Sequence, residues 1–309
     1  TGWLVVGLLQ IAVMVAVIGP MQRQWPVEPV TDRPAVRVDV IYTLIHRLGL
    51  FKLVMFFTFE NWLEEGIGAL RARGLPTFHL DQLWPGVTDG ALVSFLIYLV
   101  VFDFANYWLH RAQHQFNWWW ALHSLHHSQR QMTMWTDNRN HLLDDVLRDL
   151  LFVLLAILIG VAPGQFVALV AISQLSESFQ HANLKIWFGR VGERLWVSPR
   201  FHRLHHSVGI GHESAGKGTL GGYNFGVLLP WWDMLFGTAN FERRCSISEF
   251  VSSIAGRGEK HAGRSPARDA FAQSPSPRLL AIVYWLCGRT PAAPLCPQSG
   301  RWDGRPFPV

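Results

Sequence analysis

Long apolar runs separated by polar segments predict a series of membrane helices. Residues 2–19 read GWLVVGLLQIAVMVAVIG, carry no charge and are followed by Pro20. Such a run is about long enough to cross a bilayer, and Pro20 is expected to end it. Because the run lacks a basic start and a clear cleavage site of small residues, a membrane span is favoured over a signal peptide.

The next segments alternate between polar connections and apolar runs. Residues 21–47 are polar, are punctuated by prolines and contain four arginines, which predicts a cytoplasmic loop. Residues 48–63 are apolar but include Lys52 and Glu60, so a short span and a helix in the membrane interface both remain open. Residues 91–109 form the strongest predicted span and run directly into His110.

The composition also indicates a membrane protein. Hydrophobic residues make up 50% of the 309 positions and charged residues only 16%, fewer than in an ordinary soluble domain. The 15 tryptophans suit the headgroup boundary of a bilayer. The net charge of +5 is interpreted as topology and contact with anionic membrane lipids, because no pattern typical of nucleic-acid binding accompanies it.

The histidines occur in motifs whose spacing predicts metal binding. An H-x3-H pair at 110–114 precedes an H-x-x-H-H group at 123–127, and that group returns at 202–206. Residues three or four apart share one face of a helix, and neutral imidazole binds iron, zinc, copper and nickel. With two lone histidines included, the candidate ligands are His110, His114, His123, His126, His127, His141, His181, His202, His205 and His206.

Ten imidazoles are more than one structural zinc needs, because four ligands complete its coordination shell. They suit two metals of higher coordination number that leave room for water or oxygen. A metal-storage tract is disfavoured, because the motifs do not lie in low-complexity sequence. The isolated histidines at 46, 79, 212 and 261 are expected to be ordinary surface or core residues.

A single metal centre must lie on one side of the membrane, and this requirement shapes residues 146–176. A straight span there would separate the histidines at 110–127 from those at 181–206. Gly160, Pro163 and Gly164 interrupt the apolar stretch at its centre, where glycine and proline break helices. We therefore predict a helical hairpin with legs of about 14 residues, or about 21 Å.

Two aspartates are predicted to orient the ligands. Asp103 shares a helix face with His110 and His114, and an acidic residue within an apolar helix needs a compensating partner. A carboxylate that accepts the far N–H of a metal-bound histidine meets this need, and Asp233 is the second candidate. The alternative is that Asp103 caps a backbone segment or pairs with Arg111 or another base.

The order of the motifs resembles the fatty acid hydroxylase and sterol desaturase superfamily of membrane di-iron enzymes. The resemblance covers roughly residues 90–240 and includes the segments DFANYWLHRAQH, LHSLHHS, SPRFHRLHHS and YNFGVLLPWWDMLFGT. One departure is Leu142, which follows His141 where the family usually has proline. This departure puts the ligand role of His141 in doubt.

The resemblance implies an all-α membrane enzyme that holds two iron ions and uses O₂ as a co-substrate. Its substrate would be a long-chain lipid, such as a fatty acyl chain or a sterol, which is hydroxylated or desaturated. Electrons are expected from a separate reductase, ferredoxin or cytochrome b5-like protein, because the chain has no flavin or nicotinamide fingerprint and no fused haem domain. The active site is expected on the cytoplasmic side, of the inner membrane in a bacterium or the endoplasmic reticulum in a eukaryote.

Three regions follow from this interpretation: membrane helices with their connections at 1–89, a catalytic domain at 90–243 and a flexible tail at 244–309. The three cysteines form no metal-binding pair and no disulfide framework. A non-catalytic membrane protein that binds or transports metal is the alternative, although a transporter places its ligands in mid-membrane. A zinc hydrolase is disfavoured because no H-E-x-x-H occurs.

Overall fold

The structure is a computed structural model that describes residues 2–207 and 221–241. Within these residues the regular secondary structure is helical, which confirms the predicted all-α membrane protein. The helices are α1 (Gly2–Gln24), α2 (Arg33–Arg47), α3 (Leu50–Ala72), α4 (Ala91–Gln115), α5 (Asn117–His123), α6 (Leu142–Ile159), α7 (Pro163–His181), α8 (Gly189–Leu195), α9 (Pro199–His205) and α10 (Trp231–Leu235). The tail predicted at 244–309 lies outside the described residues.

Two helices of the described part are long and apolar enough to cross a membrane. They are α1, with a mean hydropathy of 2.4, and α4, with a mean hydropathy of 1.7. A third crossing is available if α2 and α3, which meet at an angle of 48°, form one broken span. The break falls at Gly49, whose left-handed φ of 79° ends one helix and precedes the next.

Helix α1 continues beyond Pro20 to Gln24, so the prediction that Pro20 ends it is wrong. A π-helical turn at Met14–Ile18 lies immediately before the proline, and the N–H of Gly19 donates to the carbonyl of Met14. Proline in a regular helix clashes with the carbonyl four residues earlier. The wider turn changes that register, which allows the helix to continue through the proline.

The loop predicted at 21–47 is wrong in its second half, which forms helix α2. Asp32 caps this helix by accepting from the N–H of Ala35. Its last residue, Arg47, is only 2% exposed. The guanidinium donates to side chains from three other segments, namely Gln10, Asp137, Gln174 and Ser178. Arg47 therefore anchors α2 to the protein interior. A basic residue in a loop would instead face solvent.

Helices α6 and α7 form the predicted hairpin. Gly160 has a left-handed φ of 71° at the end of α6, and Val161 donates its N–H to the carbonyl of Ala156 at 3.0 Å. Glycine in this conformation is a common helix terminator. Pro163 then begins α7, so only three residues connect the legs.

An ion pair between the far ends of the legs shows that they run antiparallel. Arg148, in the first half of α6, contacts both carboxylate oxygens of Glu177, near the end of α7, at 3.2 Å. The helices contain 18 and 19 residues, more than the predicted 14, because their polar ends are also helical. Each leg is therefore about 27 Å long.

An apolar cluster packs α4 against the hairpin and the segment before α10. Its buried members are Tyr98, Leu99, Phe102, Ala156, Leu169, Val227, Leu228 and Leu229. The other face of α4 presents large side chains such as Leu92, which is 70% exposed and suits contact with lipid. This packing fixes the last turns of α4, which carry the first histidine motif.

Candidate metal centre

Nine of the ten predicted ligands converge where several helices end. They come from the last turns of α4, the end of α5, the following 3₁₀ turn, the last residue of α7, and α9 with the residue after it. The nine are His110, His114, His123, His126, His127, His181, His202, His205 and His206. Side chains from four helices therefore meet at one place, although up to 96 sequence positions separate them.

Four of these histidines form the first group. Ligand nitrogens of His110, His114, His123 and His127 all lie within 4.8 Å of one another. The ring of His205 adjoins them, with its centroid 4.4 Å from that of His110 and 4.6 Å from that of His114. The group therefore offers four nitrogens to a common point, with a fifth imidazole beside them.

The second group consists of His126, His181, His202 and His206, whose ligand nitrogens also lie within 4.8 Å of one another. The Nε2 atom of His181 lies 3.0 Å from the Nε2 atoms of both His126 and His202. The Nε2 atoms of His202 and His206 are 3.1 Å apart. The second group therefore also directs four ring nitrogens towards a single position.

The two groups are in direct contact. The rings of His127 and His206 stack with centroids 4.2 Å apart, and each belongs to a different group. Ligand nitrogens of His127, His205 and His206 are themselves within 4.8 Å of one another. Two metal positions in these groups would therefore be neighbours rather than independent sites.

Several buried ring nitrogens fit a metal better than a hydrogen-bonded core. Within the described residues the Nε2 atoms of His123, His127 and His205 are buried without a hydrogen-bond partner. A buried polar atom left in this way costs about 1–3 kcal/mol. A metal ion bound to these nitrogens removes that cost, so the residues present fit such an ion.

Burial keeps these imidazoles in the form that binds metal. It lowers the pKa of His126, His127, His202 and His206 well below the usual value, and the neighbouring histidines lower it further. Burial also lowers the pKa of His205 to about 3. At neutral pH these rings are therefore uncharged, and the lone pair of a neutral imidazole is what a metal accepts.

Backbone carbonyls orient three of the rings. The Nδ1 atom of His110 donates to the carbonyl of Phe225 at 2.9 Å, and that of His205 donates to Tyr223 at 2.8 Å. The Nδ1 atom of His181 donates to Glu177 at 2.7 Å. A carbonyl can only accept, so the proton of each ring is on Nδ1 and Nε2 is left for a metal.

Asp144 is the carboxylate that contacts a histidine of the site, and the sequence analysis missed it. It accepts from the Nδ1 atom of His123 at 3.0 Å, from Gln113 at 2.8 Å and from the Trp119 indole at 2.7 Å. This arrangement is the carboxylate–histidine pair expected behind a metal ligand. The available signal was weak: two adjacent acids shortly after His141, at the start of the hairpin.

Asp103 does not make the contact predicted for it. Its carboxylate accepts from the backbone N–H groups of Leu228 and Leu229, at 2.8 and 3.1 Å, and from the Trp232 indole at 2.9 Å. The prediction that it accepts from a ligand histidine is therefore wrong, and its backbone donors agree with the capping role that was the alternative. These three hydrogen bonds stabilise the buried carboxylate and attach the segment before α10 to α4.

Asp233 likewise binds backbone instead of a histidine, which corrects the second prediction. It accepts from the N–H groups of Phe225 and Gly226, at 2.8 and 2.7 Å, and from the Thr238 hydroxyl at 2.7 Å. Burial raises the pKa of Asp233 to about 6, and these donors limit the rise. The Phe225 carbonyl orients His110, so Asp233 influences the site indirectly by holding Phe225.

His141 is the one predicted ligand that is not among the nine converging histidines. It precedes α6 with an extended backbone, and its Nδ1 atom accepts from the N–H of Leu143 at 3.2 Å. The side chain therefore caps its own helix and takes no part in the histidine groups.

Comparison with known proteins agrees with this geometry. Residues 95–238 match the family model of the fatty acid hydroxylases. An ornithine lipid hydroxylase of Rhizobium tropici is 29% identical over 51% of this chain and 45% of its own length. An alkylglycerol monooxygenase of Danio rerio is 30% identical over 52% of this chain and 33% of its own.

A very-long-chain aldehyde decarbonylase of Oryza sativa subsp. indica is 26% identical over 60% of this chain and 29% of its own length. The chain thus spans less than half the length of these relatives. No solved structure matches it. The family match contains all nine converging histidines, and residues 95–238 therefore belong to the fatty acid hydroxylase family.

Proposed function

We propose that this protein is a membrane-bound di-iron oxygenase that hydroxylates or desaturates a long-chain lipid. The observation that carries the proposal is the pair of adjacent groups of four histidines, three of them buried in each group. The names of the relatives support the lipid part, because they refer to an ornithine lipid, an alkylglycerol and a very-long-chain aldehyde. Mass spectrometry of lipids from cells with and without the gene distinguishes an added oxygen from the loss of two hydrogens.

Each group would hold one iron. The first ion would bind His110, His114, His123 and His127, with His205 beside it, and the second would bind His126, His181, His202 and His206. Imidazole ligands suit iron, and histidine-bound iron with an open position is the type of centre that reacts with O₂. Two such ions would supply the oxygen activation that attack on an unactivated C–H bond requires.

The protein's own residues keep the centre enclosed and small. A cavity of about 30 Å³ lies between the groups and touches His110 and His123 of the first and His126, His181 and His202 of the second. A cavity of this size holds a few small molecules such as water or O₂, but not a lipid chain. The lipid would therefore present its reacting carbon from outside this cavity, which keeps bulk water away.

A metal transporter fits the site less well. The ligands of α4 lie in its last turns and that of α7 is its last residue, whereas a transporter binds its ion near mid-membrane. The stacking of His127 on His206, which joins the two groups, also favours two ions that act together. Electrons would reach them from a separate reductase, ferredoxin or cytochrome b5-like protein.

Purified protein is expected to contain about two irons per chain, because the structure offers two groups of four imidazoles. Elemental analysis after expression without excess zinc measures this number, and removal of the iron should abolish lipid oxidation. A His79→Ala variant is the control, since that ring pairs with Asp81 outside both groups. Activity that survives complete iron removal, or that rises with zinc alone, would contradict the oxygenase proposal.

Both ends of the hairpin are expected to face the cytoplasm, because one metal centre draws ligands from before α6 and after α7. Single cysteines at 140, 162 and 185, in a chain without its three native cysteines, can be labelled from either side of the membrane. We expect positions 140 and 185 to label from the cytoplasmic side and position 162 to be protected or to label from the other. Labelling of 140 and 185 from opposite sides would exclude this topology.

A further inference from the structure

Helix α8 and the nearby Trp187 form an exposed apolar edge that consists of Trp187, Val191 and Leu195. Trp187 precedes the helix, and Val191 and Leu195 lie four residues apart on one side of it. Their exposed fractions are 40%, 71% and 53%. Large apolar side chains exposed together, with tryptophan among them, are typical of a segment that lies in the membrane interface.

A basic edge lies directly beside this apolar one. Arg190 and Arg194 are both exposed, are four residues apart and occupy the neighbouring face of α8. Within the described part of the chain neither forms an ion pair with a carboxylate. The one acid of the helix, Glu193, is buried and accepts from Ser198 and Arg200. The exposed charge of α8 is therefore positive.

These two edges meet at a cleft of about 360 Å³. It is lined by Trp187, Arg190, Glu193, Arg194, Arg200 and Phe241. The Arg194 guanidinium lies 4.8 Å from the centre of the Phe241 ring, which holds the arginine at the cleft. The volume falls within the range of pockets that bind small molecules. Glu193 pairs with Arg200, so the exposed guanidinium groups of Arg190 and Arg194 make the cleft suited to an anion.

We propose that this cleft binds the phosphate-bearing headgroup of an anionic membrane phospholipid. Guanidinium groups match phosphate oxygens in geometry and charge, and the cytoplasmic leaflet supplies such lipids. The adjacent apolar edge would rest among the acyl chains of the same leaflet. None of the nine converging histidines lines the cleft, so this binding is separate from the proposed oxidation.

The test measures binding of soluble short-chain lipids to the purified full-length protein in detergent. Dihexanoyl phosphatidylglycerol is the anionic probe, dihexanoyl phosphatidylcholine the zwitterionic one and inorganic phosphate the free anion. An Arg190→Gln/Arg194→Gln double variant should bind the anionic lipid at least about tenfold more weakly, because two charge-assisted contacts are lost. Arg33→Gln/Arg37→Gln removes two exposed arginines at the same spacing on α2 and should leave binding unchanged.

Iron content and thermal unfolding of both variants show whether each has folded. We expect the zwitterionic lipid and inorganic phosphate to bind the unmodified protein at least about tenfold more weakly than the anionic lipid. Equal binding of the anionic lipid by the α8 variant would overturn the proposal. Equal binding of phosphatidylcholine would show an apolar groove without charge selection, and equal binding of inorganic phosphate would show a site for a free anion; either result rejects a headgroup site.

Discussion

A His206→Ala variant is expected to oxidise no measurable lipid and to contain fewer than two irons. His206 belongs to the second histidine group, and its ring stacks on His127 of the first at 4.2 Å. Loss of this imidazole therefore disturbs both metal positions. We expect activity to fall by more than the roughly 100-fold that loss of a supporting residue causes. Product formation and elemental analysis measure the two effects, and circular dichroism verifies that the helices remain.

His141→Ala is the matched control, since it removes the one predicted ligand that is not among the nine converging histidines. The structure predicts that this variant keeps its iron and activity, and that it loses only the helix cap at Leu143. A lost cap lowers the free energy of unfolding by about 0.5–2 kcal/mol. A His141→Ala protein without iron would restore the ligand role that the motif predicted. A His206→Ala protein with two irons and full activity would refute the ligand assignment of the second group.

The convergence of the histidines was largely predictable because the motifs are local. The spacing of four places His110 and His114 on one face of α4. The first H-x-x-H-H group is close in sequence but begins at the end of α5 and continues into a 3₁₀ turn, so its rings do not share one helix face as predicted. The hairpin was also predictable, because Gly160 and Pro163 act on the backbone at their own positions. Which histidines share an ion depends on tertiary packing, so the division into two groups was not predictable.

The supporting carboxylates show where local reasoning fails. An aspartate in an apolar helix indicates that it has a compensating partner, but backbone N–H groups, an indole and an imidazole all serve equally well. Asp103 and Asp233 accept from backbone N–H groups, whereas Asp144 accepts from the histidine. Asp144 lies at the start of a helix, where an acidic residue is common and needs no special explanation. Arg47 is a similar case, because its four partners come from segments distant in sequence.

An Asp144→Asn variant is expected to lose about 10–100-fold in iron affinity or activity while keeping its fold. In the native protein one carboxylate oxygen accepts from His123, and the other accepts from Gln113 and Trp119. An amide has one accepting oxygen, so one set of donors loses its acceptor. If His123 loses it, the proton is free to move to Nε2, where it competes with the metal. Iron binding at limiting free iron and the turnover number measure the effect.

Asp145→Asn provides the closest control, because it changes the adjacent acid on the same helix. Asp145 pairs with His46 at 3.3 Å, and His46 belongs to neither histidine group. We expect this variant to retain iron affinity and turnover within about twofold, because the contact that it changes involves no histidine of either group. Equal losses in the two variants would mean that the start of α6 is merely sensitive to lost charge. A loss confined to Asp144→Asn, with an unchanged KM for the lipid, would assign to Asp144 the positioning of His123.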